Sequence, residues 1–392
     1  MIMKKPLVKK PPKITKTIAF AVPGIGKEEI KAVTRVLKSR WLTMGPEVIK
    51  FEKEFAKTYG IKNAIAVNSA TSGLHLALLA GGIGPGDEVI LPSYTFVSCA
   101  NTIVWVGAKP VFAESTEDFL IDPEDVKKKI TKKTKAIMVV HFGGQMAEMK
   151  EIQKIAQKHK LKIIEDCAHS LLAKYYGKLA GTFGDIGVFS FYAIKNLTTG
   201  EGGMVITADD KLADRVLTFR LHGMSLTAFD RYSRRGKWYY EITEAGFKYN
   251  LTDMAAAMGI EQLKKIKKFN ARRAQIATLY QKNLAGVPKI RLPRVLPGRT
   301  HVWHLFPIQV APERRDQIIK DLREFNICTS VHFIPLHLQH YYQKKFKFPK
   351  NHLPMAERVY QGEISLPMYP DLKNSEVKYI CRVLKYLVEN PK

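Results

Sequence analysis

The sequence predicts an α/β protein whose large domain has a mostly parallel sheet flanked by helices, followed by a smaller C-terminal α+β domain. Short apolar runs alternate with helical patterns from Lys62 to Thr207, which is typical of strands buried on both faces of a parallel sheet. Hydrophobic residues make up 46% of the 392 residues, enough for a full core. We assign residues 1–16 to a disordered basic arm, 17–260 to the large domain and 261–392 to the small domain.

Seven apolar runs are the expected strands of the large domain. In chain order they are NAIAV, DEVILP, KPVFAE, TKAIMVVH, KIIED, IGVFSF and GGMVIT. Helices are expected between them, at Thr71–Ala80, Phe96–Val106, Met146–His159 and Lys211–Leu221. Ligands of such sheets bind beyond the carboxyl ends of the strands. Polar or turn residues stand at or near those ends, namely Ser69, Pro92, His141, Asp166 and Ser190.

The remaining chain predicts a long helix and then a mixed set of elements. A helical pattern starts near Thr252 and runs past Leu284, and further helices are expected near Glu313–Phe325 and Ser375–Glu389. The runs IRLP, HVWHLFPIQV and ICTSVHF lie among them. Residues 225–247 form a polar, aromatic-rich insertion without a clear period, which indicates a functional or mobile loop.

Charge and cysteine content restrict the function. The net charge is +27, and it stays at +21 without the six lysines of the first 16 residues, which favours anionic ligands such as phosphates or nucleotides. We do not expect nucleic-acid binding, because the charge is spread along the chain and no known nucleic-acid-binding signature accompanies it. Four scattered cysteines predict neither a metal site nor disulfides. Without an apolar run of about 20 residues or a signal-peptide pattern, we expect a cytoplasmic protein with no membrane span.

The stretch GDIGVFSFYAIKNLTTGEGGMVIT, residues 184–207, is the most informative part of the chain. It places Lys195 at the end of an apolar strand, before a turn rich in Thr and Gly. A lysine in a semi-apolar pocket loses part of its preference for the charged form and can react with an aldehyde as a free amine. Asp166 ends the apolar run KIIED, and a pyridoxal phosphate site needs such a lysine and carboxylate. Taken singly, Lys195 could be a solvated surface residue and Asp166 a helix N-cap.

Six motifs in this order resemble the DegT/StrS-type sugar aminotransferases. The motifs are NSATSGLHLAL, LPSYTFVSCAN, EDCAHS, FSFYAIKNLTTGEGG, LHGM and KYNLTDMAAAMGIEQL. The resemblance extends from Trp41 to Leu372. It implies the aspartate-aminotransferase fold, which is fold type I of the pyridoxal-phosphate-dependent transferases, and it makes residues 17–260 the cofactor-binding domain.

The resemblance also implies roles for single residues. Lys195 matches the Schiff-base lysine and Asp166 the partner of the pyridine nitrogen. The other matched positions bind the cofactor: Thr71, Ser72 and Ser190 at the phosphate, Phe96 stacked on the ring, His169 near the phenolic oxygen, and Asn250 reaching in from the neighbouring subunit of a homodimer. Helix N-terminal amides bind phosphate well, which agrees with Thr71 and Ser72 at a helix start. Phe96 and His169 could instead be core residues, and Asn250 could cap its own helix.

The implied reaction is transfer of an amino group from an amino acid, by resemblance L-glutamate, to a nucleotide-linked keto-sugar, with 2-oxoglutarate as the product. Related dehydratases have histidine at the lysine position, so Lys195 favours aminotransfer. The segments His301–Phe306 and Ser330–Tyr342 resemble members that aminate C4, which favours a 4-keto-6-deoxy sugar; a 3-keto-sugar is the alternative. Outside this family, the rivals are a basic nucleic-acid-binding regulator and a nicotinamide-dependent enzyme. The latter needs GxGxxG after the first strand, where this chain has NSATSGL.

Overall fold

A computed structural model describes residues 9–224, 238–349 and 351–390. Their centre is a seven-stranded sheet in the order β1-β9-β8-β5-β4-β2-β3. The strands are β1 (Asn63–Val67), β2 (Glu88–Pro92), β3 (Lys109–Ala113), β4 (Thr134–Val140), β5 (Lys162–Asp166), β6 (Lys174–Tyr175), β7 (Lys178–Leu179), β8 (Ile186–Ser190), β9 (Gly203–Thr207), β10 (Phe306–Gln309) and β11 (Glu363–Leu366). The two further pairs, β6–β7 and β10–β11, form separate two-stranded sheets.

Twelve α-helices are assigned among the described residues. They are α1 (Lys27–Ser39), α2 (Pro46–Tyr59), α3 (Ala70–Ala80), α4 (Ser98–Trp105), α5 (Pro123–Lys129), α6 (Met149–His159), α7 (Asp210–Arg220), α8 (Asp253–Leu284), α9 (Pro312–Glu324), α10 (His340–Phe346), α11 (Pro354–Gly362) and α12 (Asn374–Glu389). The seven strands expected from the sequence are all present in the central sheet, and the α/β prediction is confirmed. Within the described residues, no helix combines the length and apolarity that a membrane crossing requires.

Strand direction places the ends of many strands at one edge. The pairs β2–β3, β2–β4, β4–β5 and β5–β8 are parallel, whereas β9 runs antiparallel to both β8 and β1. The carboxyl ends of β1, β4, β5 and β8 and the amino end of β9 therefore share one edge. Apolar clusters cover both faces of the sheet, so the strands are as buried as their continuous apolar sequences predict.

A continuous helix spans the predicted domain boundary. Residue 260 lies inside α8, whose first half packs in the large-domain core through Ile260 and whose second half packs in the small-domain core through Tyr280. Residues 336–359 follow the predicted boundary but pack through Leu336 and Val359 onto the core of the large domain. A long helix and a returning segment thus join the two domains.

Residues 9–16, the described part of the predicted disordered arm, contact the small domain. Ile14 packs against the small-domain core, its N–H donates to the Tyr379 hydroxyl at 3.4 Å, and its carbonyl accepts from Asn326 Nδ2 at 2.6 Å. Just beyond, Ile18 forms a β-bridge with Ile327. The apolar residues between the lysines of this segment can be buried, and the interpretation from charge did not take them into account. Residues 1–8 lie outside the described residues, as do residues 225–237 of the predicted insertion.

Candidate active site

A cavity of about 470 Å³ opens at the edge where the strand ends meet. It is lined by residues from both domains: Ser69, Ala70, Thr71, Thr95, Phe96, Ser98, Val140, Asp166, Ala168, His169, Ser190, Tyr192, Ile194, Lys195, Glu201, Gly202, His304, His332 and Phe333. Six of the eight sequence-predicted site residues are among them. Ser72 and Asn250 are not.

Lys195 lies in the loop between β8 and β9. Its N–H donates to the Tyr192 carbonyl at 2.9 Å, and Thr199 N–H donates to the Phe191 carbonyl at 2.9 Å, so the loop closes on itself. Burial lowers the pKa of Lys195 to about 8, although the charge of Asp166 acts in the opposite direction. A useful fraction of Lys195 is therefore a free amine near neutral pH.

Asp166 ends β5 and is held by two hydrogen bonds. Its Oδ1 accepts from the Ala168 N–H at 2.9 Å, and its Oδ2 accepts from Cys99 Sγ at 3.0 Å. Burial and the charge of Asp166 raise the pKa of Cys99 well above its ordinary value, so the thiol keeps its proton and remains a donor. Asp166 is 5% exposed and lines the cavity from a fixed position.

The N-terminus of α3 forms another wall of the cavity. Ser69 is the N-cap, and its Oγ accepts from the Ser72 N–H at 3.1 Å. The Ser72 hydroxyl points away from the cavity into this cap, where it donates to Asn68 Oδ1 at 2.6 Å. Gly203 in β9 lets the helix end approach, since a Cβ there would lie 2.8 Å from the Ala70 nitrogen. The helix dipole and free amides of this terminus suit a phosphate group.

Two cavity histidines have a defined hydrogen position. His169 Nδ1 accepts from the Gly143 N–H at 3.3 Å, which places the ring hydrogen on Nε2. Asn196 Nδ2 donates to the Val302 carbonyl, so its Oδ1 accepts from His304 Nδ1 at 3.1 Å and leaves a lone pair on His304 Nε2. The two ring centroids lie 4.4 Å apart. Burial first, and then nearby positive charge such as that of Lys195, lowers the pKa of both rings well below the ordinary value, so both are neutral.

The remaining predicted residues differ in their placement. Phe96 is 54% exposed at the cavity mouth, with its ring centroid 5.7 Å from that of Phe333, so it is not a core aromatic. The Ser190 hydroxyl accepts from the Tyr192 N–H at 3.3 Å. Asn250 is buried outside the cavity, pairs with Val67 in a β-bridge, and donates through Nδ2 to the Leu251 carbonyl at 3.2 Å.

Below the cavity lies a buried group of His141, Glu165 and Cys167 whose spacing would suit a metal ion. The Glu165 oxygens are already engaged: Oε2 binds His141 Nε2 at 2.9 Å and the Gly181 N–H at 2.9 Å, and Oε1 accepts from the N–H groups of Phe183 and Gly184. His141 Nδ1 accepts from the Ala147 N–H at 3.2 Å. These hydrogen bonds fix the loop before β8, and so the strand that leads to Lys195.

Comparison with known proteins shows which family the chain belongs to. The model of the DegT/DnrJ/EryC1/StrS aminotransferase family matches residues 23–385. The spore coat polysaccharide biosynthesis protein SpsC of Bacillus subtilis is 46% identical over 378 residues, which cover 95% of this chain and 97% of that protein. The chain belongs to the DegT/DnrJ/EryC1/StrS aminotransferase family. It is a pyridoxal-phosphate-dependent sugar aminotransferase, as the six motifs predict.

Solved structures of similar proteins agree with this assignment. Helicobacter pylori PseC, an aminotransferase involved in the biosynthesis of pseudoaminic acid, is 33% identical with a TM-score of 0.88, over 95% of this chain and 99% of that chain. Spr1654 of Streptococcus pneumoniae, in its PLP form, is 30% identical with a TM-score of 0.90, over 95% of this chain and 99% of that chain. Spr1654 also has a structure in a PMP form.

The cavity and its surroundings contain residues that the sequence did not single out. Cys99 and Thr95 lie in predicted motifs, but only the fold brings them to Asp166 and the cavity. His304 and His332 lie in the two segments that resemble C4-aminating members, without a role of their own. The clustering of histidines in these two segments could have indicated a functional role, but the residues that hydrogen-bond to His304 and His332 are far away along the chain.

Proposed function

We propose that this aminotransferase transfers the amino group of L-glutamate to C4 of a nucleotide-linked 4-keto-6-deoxy sugar and releases 2-oxoglutarate. The observation that carries the C4 assignment is the position of His304, His332 and Phe333, which line the cavity that holds Lys195. They come from the two segments that resemble C4-aminating members of the family. The basic body of the protein, with a net charge of +27 for the whole chain, suits a diphosphate-bearing substrate.

The cavity residues fit pyridoxal phosphate. When bound, this cofactor supplies an aldehyde carbon that takes up the amino group and a ring that accepts electrons. In our proposal Lys195 holds the cofactor and moves the proton at the substrate carbon, for which a pKa of about 8 is well placed. Asp166 keeps the ring nitrogen protonated, and its two hydrogen bonds from Cys99 and Ala168 stabilise the anionic carboxylate that this role needs.

The other contacts follow from hydrogen-bond polarity. We assign the phosphate to the α3 terminus, with Thr71 and Ser190 at the cavity wall and Ser72 contributing through the helix end. The Nε2–H of His169 can donate to the phenolic oxygen, because its Nδ1 is occupied by Gly143. Phe96, exposed at the mouth, is placed to cover the ring once the cofactor is bound.

We propose further that the site is completed in a homodimer, with Asn250 acting in the partner's site. Asn250 does not line the cavity of its own chain, although its motif resembles that of a cofactor-binding residue. Large apolar side chains are exposed at the cavity mouth and elsewhere among the described residues, including Phe96 and Trp238, the latter 84% exposed. Exposed apolar surface of this kind indicates a protein interface.

The substrate assignment is tested by converting the protein to its pyridoxamine form with glutamate, removing the excess, and adding nucleotide-linked 3-keto and 4-keto sugars separately. We expect only a 4-keto sugar to restore the absorbance of the aldehyde form, with an amino sugar as the product. If only a 3-keto sugar restores this absorbance, the C4 assignment is wrong and a C3 assignment takes its place. Aspartate in place of glutamate is the control for the amino donor.

Replacing Asp166 tests the cofactor assignment. Asp166→Asn keeps the shape and removes the charge that faces the ring nitrogen, so turnover should fall by about 10²–10⁴. The matched control is Asp185→Asn, because Asp185 also lies at a strand end and accepts from a backbone N–H, Ile163 N at 2.8 Å, but outside the cavity. Equal losses of turnover in both variants would mean that Asp166→Asn disturbs the structure and does not act through the ring nitrogen of the cofactor.

A further inference from the structure

His332 is the one cavity histidine whose hydrogen position depends on an ionisable neighbour. We propose that Glu363 is a positioning residue of this active site: acting through Ser365, its protonation state sets which ring nitrogen of His332 carries the hydrogen. His332 would then offer the cavity either a hydrogen-bond donor or a lone pair. That a substrate oxygen or nitrogen receives this contact rests on the proposed function.

A chain of short hydrogen bonds joins the three residues. Glu363 lies in β11 with its side chain fully buried, and its Oε2 accepts from the His332 N–H at 2.8 Å. Its Oε1 lies 2.5 Å from Ser365 Oγ, and Ser365 Oγ lies 3.0 Å from His332 Nδ1. Since Nδ1 is engaged, Nε2 is the nitrogen left for the cavity. No hydrogen-bond partner of Nε2 is present in the part of the chain that the structure describes.

The serine has a single hydroxyl hydrogen, so the chain has two alternative directions. When Glu363 is ionised, Ser365 donates to it and can only accept from His332, so the hydrogen is on Nδ1 and Nε2 has a lone pair. When Glu363 is protonated, it donates to Ser365, which then donates to His332 Nδ1. The ring hydrogen is then on Nε2. Ionising Glu363 releases one proton to solvent and moves the ring hydrogen from Nε2 to Nδ1.

The surroundings keep His332 neutral and fixed in both states. Burial, and then Lys195, lower the pKa of His332 to about 4. Phe20 stacks on the ring with a centroid distance of 5.3 Å, and the Tyr94 hydroxyl donates to the His332 carbonyl. A neutral ring in a fixed position has one hydrogen, so changing its place changes the contact that it offers.

Both states of Glu363 lie within an accessible pH range. Burial raises the pKa of Glu363 to about 8, against the lowering effects of the hydrogen bonds from Ser365 and the His332 N–H and of the charge of Arg315 in α9. Tyr94 also interacts electrostatically with Glu363, and burial keeps that phenol neutral, with a pKa well above its ordinary value. Near neutral pH we therefore expect the hydrogen of His332 on Nε2. An Nε2–H donor suits a carboxylate, carbonyl or hydroxyl oxygen of the substrate.

The test is the position of the His332 hydrogen, read by solid-state ¹⁵N NMR on full-length protein labelled at its 11 histidines and loaded with pyridoxal phosphate. In the loaded protein Lys195 does not titrate as a free amine. The His332 signals are identified by their loss in His332→Asn. No sugar or amino donor is added, so the spectrum reports on the hydrogen-bond chain whether or not the proposed substrate is right. Transamination of the sugar is measured separately.

We expect the protonated nitrogen of His332 to change from Nε2 to Nδ1 between about pH 5 and about pH 10. In Glu363→Gln the amide oxygen accepts from the His332 N–H and the amide NH₂ donates to Ser365, so Nε2 should stay protonated throughout. In Ser365→Ala the chain is broken, and the pH-dependent change should be lost although Glu363 is present. The proposal is wrong if the unmodified protein keeps one tautomer across this range, or if Glu363→Gln changes tautomer as the unmodified protein does.

Discussion

Cys99 donates from Sγ to Oδ2 of Asp166 across 3.0 Å, and this contact joins the first turn of α4 to the end of β5. The two residues are 67 positions apart, and Thr95 Oγ1 lies 3.3 Å from the same sulfur. Cys99 is fully buried behind Asp166, so the carboxylate that faces the cavity has a donor at its back. The cysteine thus supports the charge on which the proposed chemistry depends.

Removing this donor should impair turnover more than changing its type. Cys99→Ala leaves Asp166 without the donor, and a hydrogen bond to a charged group contributes about 1.5–3 kcal/mol, so turnover should fall on the order of tenfold or more. Cys99→Ser keeps an X–H donor and should retain most of the activity. Steady-state kcat and cofactor affinity, measured side by side, distinguish them. Equal activity of both variants and the parent would show that the contact is only packing.

Removing Lys195 should stabilise the protein in the absence of cofactor. The folded state must hold an ammonium whose pKa is lowered from 10.5 to about 8, so the penalty is full below pH 8. It disappears as pH rises from 8 to 10.5, where the unfolded chain keeps the proton that the folded chain has lost. Lys195→Met should raise the free energy of unfolding by on the order of 1–3 kcal/mol at pH 7.

Denaturant unfolding of the two apoproteins at several pH values provides this measurement, with the exposed Lys132→Met as the control. The increase in the free energy of unfolding of Lys195→Met should be largest below pH 8 and should decrease toward pH 10.5. A gain that does not change with pH would mean that the methionine packs better, and that burial of the charge has no part in it.

The segment before the large domain should contribute to stability and leave catalysis unchanged. Ile14 packs on the small-domain core, so Ile14→Ala should lower the free energy of unfolding by about 1 kcal/mol. Lys13→Ala, at an exposed neighbouring position, should change it little. Turnover per folded molecule should stay the same in both, because neither residue lines the cavity. An activity loss in Ile14→Ala without a stability loss would indicate a direct role in the site.

Asn250 is tested by mixing subunits. Lys195→Ala should be inactive and Asn250→Ala impaired, and mixed dimers are formed by subunit exchange. If Asn250 acts in the partner's site, one site of each mixed dimer carries both defects and the other carries none. Activity should then rise well above either variant, toward half that of the unmodified dimer per mixed dimer. No recovery, with exchange confirmed independently, would confine Asn250 to its own chain.

The sequence predicted the central sheet well because its strands are continuous apolar runs bounded by polar turns, as in β4 and β5. It did not predict helices α1 and α2, or the two-residue strands β6 and β7, whose patterns are weak or too short. The long helix ends at Leu284, where the sequence pattern extended it further.

The lining of the cavity was predictable where a motif contains the residue, as for Lys195 and Asp166. It was not predictable where the function depends on distant contacts. His304 receives its tautomer from Asn196, 108 positions away, and His332 depends on Ser365 across the β10–β11 region. The packing of Leu336 onto the large domain is what brings this part of the chain to the cavity, and no local pattern encodes it.

The central claim is that Lys195 is the amine that holds pyridoxal phosphate. Borohydride reduction of the loaded protein fixes the cofactor to that amine, and peptide mass spectrometry then locates it among the many lysines of the chain. The account predicts one modified peptide that contains Lys195, and no such modification in Lys195→Ala. A cofactor fixed to any other lysine, or no fixed cofactor in a protein that transaminates, would contradict it.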